Sequence, residues 1–587
     1  MKPILPIILL LASSLGGAFA TPVQDKMTYT VSMDIPTHIF HVVFRWEGIR
    51  APLPDFRMPA WMPGYYQLID YAGKLRHFEA TDETGKPLPW EKTTASTWRV
   101  SKEQATSITL SYDIDVSTPM PAVPNVAQSL LDSTHAFIAP TTLFLYPEGR
   151  LHHPVLLKLL LPAKDAFAAV GGSAAVADSA ATGGSAATGG SATKGNSVAT
   201  ASPMGKAGRA AAQVLVATGL DTLAGKKFVY TAPDFDILYD CPILVGPLEA
   251  LPSFQVKGIP HYFIGYQLGE FDRQQFMADL KKVVEAVIAV IGDIPYRHYT
   301  FLATGPGRGG IEHLNSTTVP FSGEQLSTAS GRHRLLNFLA HEYFHLYNVK
   351  RIRPIALGPF DYSQENRTNM LWVSEGFTVY YEYLSVRRAG LMTGEELLQG
   401  FQSNIAAYEN KPGHLYQSAT QSSYETWSDG PFVKAGTENK TISYYDKGPA
   451  LGMLLDFAIR HATKNRKSLD DVMRELYHRY YQQKKRGFTD TEFQQVCEWV
   501  AGISLSEVFG YASTVKEIDY SKYLAYAGLA IDLSPLDQPG AKQGQTGPQQ
   551  GEAAASPDQP NQRSFKITPL PNPDALQLAI RKSWLGE

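Results

Sequence analysis

The sequence predicts an α+β protein of more than one domain, with a β-sandwich-like domain followed by a mainly helical domain that carries a small sheet. Three observations lead there. The chain is 587 residues long, beyond the size of one ordinary domain. From about Met27 to Leu161 apolar and polar residues alternate, as in Tyr29–Asp34 and Ser107–Asp113, between turns rich in Pro, Gly and Asp. From Phe271 onward the apolar spacing becomes helical, with Phe276, Leu280, Val283, Val284, Val287 and Ile288 on one stripe.

Taken in chain order, the first element is a leader. Lys2 precedes an apolar run from Ile4 to Ala12, and Ala18-Phe19-Ala20 forms a small-x-small site before Thr21. Residues 1–20 therefore read as a signal peptide, which places the mature protein in the periplasm or outside the cell; the competing reading is an uncleaved anchor. No later stretch reaches the length of a membrane-spanning helix, so stable membrane insertion after cleavage is not expected. Residues 21–250 form the β domain, interrupted at 163–211 by Gly-Gly-Ser-Ala-Ala and Ala-Thr-Gly-Gly units. Those units lack large side chains whose burial could offset the entropy of ordering them, which predicts a disordered insertion. The helical domain runs over 251–534, with helices expected near 330–349, 370–389, 395–408, 448–463, 468–483 and 490–502. A polar, Pro/Gln/Gly-rich tract at 535–563 leads to a short segment, 564–587, with one strand and one helix.

Composition narrows the function. Hydrophobic residues make up 44% and aromatics 11%, enough for substantial cores. A net charge of −3 provides no basic face for nucleic acid. Cys241 and Cys497 exclude both a disulfide-dense scaffold and a Cys-rich metal site, and leave open whether the two pair.

The chemistry centres on His341-Glu342-Tyr343-Phe344-His345. Residues four apart on a helix share a face, so both imidazoles can reach one ion. Zinc accepts neutral imidazole nitrogen, and a catalytic zinc site takes three protein ligands with one position left for water. Glu342 stands beside the first ligand, placed to take a proton from that water. The third ligand is expected from the next helical segment, where Leu371-Trp-Val-Ser-Glu375-Gly-Phe-Thr378 offers a carboxylate. A Glu in a first helical turn is also favoured by the helix dipole alone, so the assignment of Glu375 leans on the paired histidines.

The run from His341 to Pro354, followed by Leu371–Tyr381, resembles the M61 family of metallopeptidases, the glycyl aminopeptidase type, within the gluzincin group. Met58–Tyr66, Tyr239–Gly246 and Tyr523–Leu529 are similar to that family too, so the resemblance covers most of residues 25–535. It implies a thermolysin-like catalytic domain with one zinc ion and a peptide substrate. By the same resemblance, Gly309-Gly310-Ile311-Glu312 looks like an exopeptidase motif whose Glu312 holds the substrate amine, with Gly309 and Gly310 lining the cleft. Tyr444-Tyr445-Asp446-Lys447-Gly448 looks like an element that supplies a transition-state tyrosine; alignment on Lys447-Gly448 selects Tyr445, with Tyr444 as the alternative. The activity implied is an aminopeptidase favouring small N-terminal residues such as Gly or Ala. An endo- or oligopeptidase on the same metal site and a catalytically silent peptide-binding protein are the rivals. Many family members carry a C-terminal PDZ domain, and none is expected in the region after Ser534.

Overall fold

The computed structural model describes residues 25–102, 104–120, 123–163, 167, 214–430, 440–536 and 562–587. The expected leader, nearly all of the 163–211 insertion and most of the 535–563 tract lie outside those residues.

The N-terminal part is a β-rich body built on a seven-stranded sheet. Its centre is Lys26–Asp34, antiparallel to Ile39–Glu47 and parallel to Val155–Leu160. Burial alternates along Lys26–Asp34, so Met27, Tyr29 and Val31 face inward, as the period of two predicts. Two four-stranded sheets contribute to the same core through Phe56, Trp98, Ile138 and Ile243. A buried irregular segment, Leu143–Leu145, crosses this core, and its carbonyls need partners there. Three tyrosines from different elements supply them: Tyr112 donates to Leu143 and Tyr239 to Phe144, each at 2.9 Å, and Tyr29 donates to Leu145.

The second part begins with a small mixed sheet in which Ile259–Gly265, Tyr299–Ala303 and Ser316–Val319 run parallel, and Ile311–Glu312 lies antiparallel at the edge. Helices Arg273–Ile291, Ala329–Phe344, Gly376–Arg388 and Tyr444–Ala462 pack beside it. Several helices differ in extent from the sequence expectation. The 330–349 helix ends at Phe344, and the 370–389 helix is interrupted at Glu375 into Leu371–Ser374 and Gly376–Arg388. The 468–483 helix changes to π-helix over Tyr477–Lys484. Tyr444–Ala462 starts before the expected 448 because the Ser443 side chain caps the Tyr445 N–H. Ala419–Asp429, Ser506–Ser513 and Tyr520–Ala525 were not anticipated, being short or weakly amphipathic.

Two contacts bind distant segments to this body. Asp240, just past the Phe235–Tyr239 helix of the N-terminal part, pairs with Lys350 at 2.5 Å and accepts the Leu314 N–H at 2.6 Å. It also lies 3.4 Å from His313 Nδ1. One buried carboxylate thus holds the turn after the His341–His345 motif and the strand bearing Glu312. At the other end, Ala575–Leu585 docks with Trp584 fully buried. The Trp584 indole donates to Tyr380 at 2.9 Å, and Tyr380 donates to Asp456 at 2.6 Å. The last helix therefore buttresses the helix that follows Glu375. Cys241 and Cys497 are both free and buried, in different cores.

Candidate metal centre

The Ala329–Phe344 helix brings His341 and Glu342 to its last turn, and His345 caps its end with its backbone still in the αR region. The two imidazoles face each other, Nε2 to Nε2, at 3.0 Å. Glu375 Oε2 lies 3.2 Å from His345 Nε2 and 3.6 Å from His341 Nε2. The three atoms form a triangle whose sides match those of a tetrahedron with bonds of about 2.0–2.1 Å, roughly 3.3 Å. Among the described residues this is the one cluster of three His, Cys, Asp or Glu donors so arranged.

The outer nitrogens fix the tautomer. His341 Nδ1 is 2.8 Å from Glu382 Oε2, and His345 Nδ1 is 2.7 Å from the Asn348 carbonyl. Both partners are acceptors, so each Nδ1 carries the proton and each Nε2 presents its lone pair to the shared point. Burial opposes charge on His341, yet hydrogen bonds to Glu375 and Glu382 outweigh it and hold that imidazole well above its ordinary range. Burial likewise opposes charge on Glu375, and His345 and His341 overcome it to hold the carboxyl below its usual range. A cluster that attracts protons this strongly attracts a divalent cation in their place. The residues present fit a zinc ion.

Local packing explains why Glu375 arrives there. The chain turns at Glu375 between two helical pieces, and Asn348 Nδ2 donates to the Val373 and Ser374 carbonyls at 2.9 and 3.1 Å. One residue thus orients His345 and steadies the segment that presents the third ligand. Gly376 meets Gly448 where the helices cross: a Cβ on Gly376 would lie 2.5 Å from the Gly448 Cα. That approach sets Tyr445 beside the site, its ring stacked 6.3 Å from His341 and its hydroxyl in the electrostatic field of Glu375. Tyr444 is engaged elsewhere, its hydroxyl 3.1 Å from Thr426 Oγ1.

Glu342 sits behind the ligands, 5% exposed. Burial pushes its carboxyl up to about 7; the imidazoles pull it down, and Glu312 and Glu375 push it up. The edge strand runs directly over it. A Cβ on Gly310 would lie 2.1 Å from Glu342 Oε1, so only glycine leaves the carboxylate its place. Two residues on, Glu312 is 4% exposed and acts electrostatically on both Glu342 and His345. Gly309, at φ 76, turns toward the N-terminal part, where Val126 Cγ2 would be 3.7 Å from its Cβ. All the residues singled out in the sequence thus gather around one point except Gly309, which serves the turn.

Sequence reading missed four contributors. Glu382 lies seven residues after Glu375, two turns along the same face, and that spacing was the available signal. Asn348 stands three residues after His345 and carries no signal without the fold. Gly64 and Tyr66 come from the N-terminal part: a Cβ on Gly64, at φ 91, would lie 2.7 Å from Glu312 Oε2, and Tyr66 lines a small cavity with Glu312. Two outcomes follow from this geometry. Glu382→Ala should weaken zinc binding about 10–100-fold in competition with a chromophoric chelator, because His341 loses its orienting partner; unchanged affinity would remove Glu382 from the site. Gly310→Ala should lower kcat about 100-fold or more while the metal content measured by atomic absorption stays at the wild-type level, since Glu342 must move by ångströms.

Two family models match the chain: the Peptidase M61 N-terminal domain over residues 28–187, and M61 glycyl aminopeptidase over residues 334–451. The second interval contains His341, His345, Glu375 and Tyr445. Among solved structures, the chain is similar to an aminopeptidase N family protein from Idiomarina loihiensis, with 24% identity and a TM-score of 0.74 over 87% of this chain and 79% of that one. It is also matched, at 12% identity in each case, to an M1 zinc metallopeptidase from Deinococcus radiodurans (TM-score 0.46, covering 84% and 94%) and to a native yeast LTA4 hydrolase (TM-score 0.47, covering 86% and 70%). The first likeness speaks to the fold, and the other two carry no argument. A comparison with curated proteins gives no match. With an N-terminal β-rich domain, a helical domain and a His-His-Glu cluster in the matched interval, the chain belongs to the M61 peptidase family.

Proposed function

We propose that this metallopeptidase is an exported zinc aminopeptidase that removes small N-terminal residues such as Gly or Ala. The observation that carries the reading is the convergence of His341, His345 and Glu375 on one point, flanked by Glu342, Tyr445 and a second, non-ligating carboxylate, Glu312. A zinc ion held by the first three would supply a Lewis acid for the scissile carbonyl and for the attacking water.

The remaining work falls to the chain's own side chains. Glu342, within reach of Thr317 Oγ1 at 3.5 Å, takes the proton from the attacking water and returns it to the departing amine. The Tyr445 hydroxyl donates to the oxyanion of the tetrahedral intermediate, an interaction worth about 3–4 kcal/mol where such donors have been removed. Glu312 pairs with the substrate ammonium. Gly64 lies close over Glu312, with no room for a side chain between them, and a carboxylate enclosed in this way suits a chain terminus better than a chain interior.

The test compares one peptide in two forms. The free-amine peptide should be cleaved at least tenfold faster in kcat/KM than its N-acetylated form, and Glu312→Gln should erase that difference. Equal cleavage of both forms by the wild type would turn the reading to an endopeptidase, and no cleavage of either by zinc-loaded protein would leave a peptide-binding role. Export rests on the leader sequence, and N-terminal sequencing of the mature protein should begin at Thr21; a start at Met1 would contradict it.

A further inference from the structure

The Met58–Tyr66 segment belongs to the N-terminal part by sequence, yet it is built into the catalytic side. Trp61 and Tyr66 are members of the second part's core and not of the sandwich core. The segment is held from both sides. Ala60 N–H donates to Tyr362 at 2.7 Å, the Trp61 indole donates to Asp361 at 2.8 Å, and Met62 packs against Ile311 of the edge strand. The Tyr66 ring meets Trp427 edge-on at 6.1 Å, and Trp427 meets Trp61 at 5.1 Å. Tyr66 is 6% exposed, so it is a fixed wall.

That wall stands beside Glu312. Tyr66 and Glu312 line one small cavity, and the ring lies in the electrostatic field of both Glu375 and Glu312. A substrate with its ammonium on Glu312 and its first carbonyl at the metal centre must lay its first Cα between those groups, against Tyr66. The cavity adjoins this place, lined by Pro63, Tyr66, Glu312, Val349, Leu357 and Phe360, with room of about 20 Å³. Space on that scale admits a water molecule or a methyl group and nothing larger. Two cations line it as well: Lys350, paired with Asp240 at 2.5 Å, and Arg353, over the Phe360 ring at 5.8 Å. The space is therefore tight, with Glu312, Lys350 and Arg353 as its charged groups and Tyr66, Val349, Leu357 and Phe360 as its apolar and aromatic walls.

We propose that this cavity receives the side chain of the substrate's first residue, and that Tyr66, supplied by the N-terminal domain, is the residue that limits it to hydrogen or methyl. The assignment rests on the aminopeptidase reading and gives it a structural cause for small-residue preference. It also makes the β-rich domain part of the specificity apparatus.

Enlarging the cavity from either domain tests it. Tyr66→Ala opens it from the N-terminal side, and Leu357→Ala opens it from the catalytic side. Each should raise the kcat/KM ratio of Leu- over Gly-p-nitroanilide at least tenfold, the scale set by a few methylenes in an apolar pocket. Tyr66→Phe, which keeps the ring, should hold that ratio within about twofold of wild type. A readout free of turnover uses leucinamide and glycinamide as probes: calorimetry on Tyr66→Ala should show leucinamide gaining affinity over glycinamide by a similar factor. Unchanged ratios in both Tyr66→Ala and Leu357→Ala would overturn the assignment while the free-amine preference of the wild type stood. If Tyr66→Ala does not fold, Leu357→Ala decides alone. Loss of the free-amine preference in the wild type would instead overturn the aminopeptidase reading beneath it.

Discussion

The structure depends on how it tolerates buried negative charge. Glu312, Glu342 and Glu375 are each no more than 5% exposed, and Glu382 lies beside them, with the His341 and His345 imidazoles in their midst. Carboxylates removed from water without compensation cost several kcal/mol each. The imbalance has one economical resolution, which is cations: a divalent ion at the His341, His345 and Glu375 atoms, and an ammonium at Glu312. Catalysis of this kind uses both. The same excess of carboxylate that would destabilise an empty protein suits the proposed binding of a metal ion and of a charged chain end.

Placing those groups required close backbone approach at three points, and glycine provides each. Gly376 and Gly448 let two helices cross with their backbones in contact, which puts Tyr445 next to Glu375. Gly310 lets the edge strand pass over Glu342. Gly64, at φ 91, lets a loop from the other domain cover Glu312. At the first two the constraint is space; at Gly64 it is both space and a left-handed backbone. Polar side chains then lock what the glycines admit, Asn348 around the Glu375 turn and Glu382 behind His341.

The β-rich domain is more than a platform. Asp240 crosses the boundary to hold the turn after the metal motif, and Met58–Tyr66 crosses it to pack Trp61 and Tyr66 into the second core beside Glu312. Three segments that share no sequence neighbourhood therefore meet around Glu312: the edge strand, the loop from the sandwich and the turn after His345. At the opposite side, Trp584 and Tyr380 tie the last helix to the one that begins after Glu375, so the ligand helix is braced from a segment 200 residues away in sequence, as in the contact of Arg387 with Glu587.

What the sequence determined by itself was the part governed by local periodicity and by residue chemistry. Alternation over Tyr29–Asp34 and Ser107–Asp113 specified strands, the stripe from Phe276 to Ile288 specified a helix, and the spacing of His341 and His345 placed two imidazoles on one face with Glu342 beside them. Glu375, Tyr445 and Glu312 were legible as residue types in motifs, but not as neighbours. Tertiary structure decided the rest. It interrupted the 370–389 helix at Glu375, set the Tyr445 ring beside His341 while the Tyr444 hydroxyl meets Thr426, and brought Glu382, Asn348, Gly64 and Tyr66 to the same region. The reason is physical. Periodicity reports which face of an element is buried, whereas the meeting of Gly64 with Glu312 depends on how two domains pack, and no local pattern encodes that.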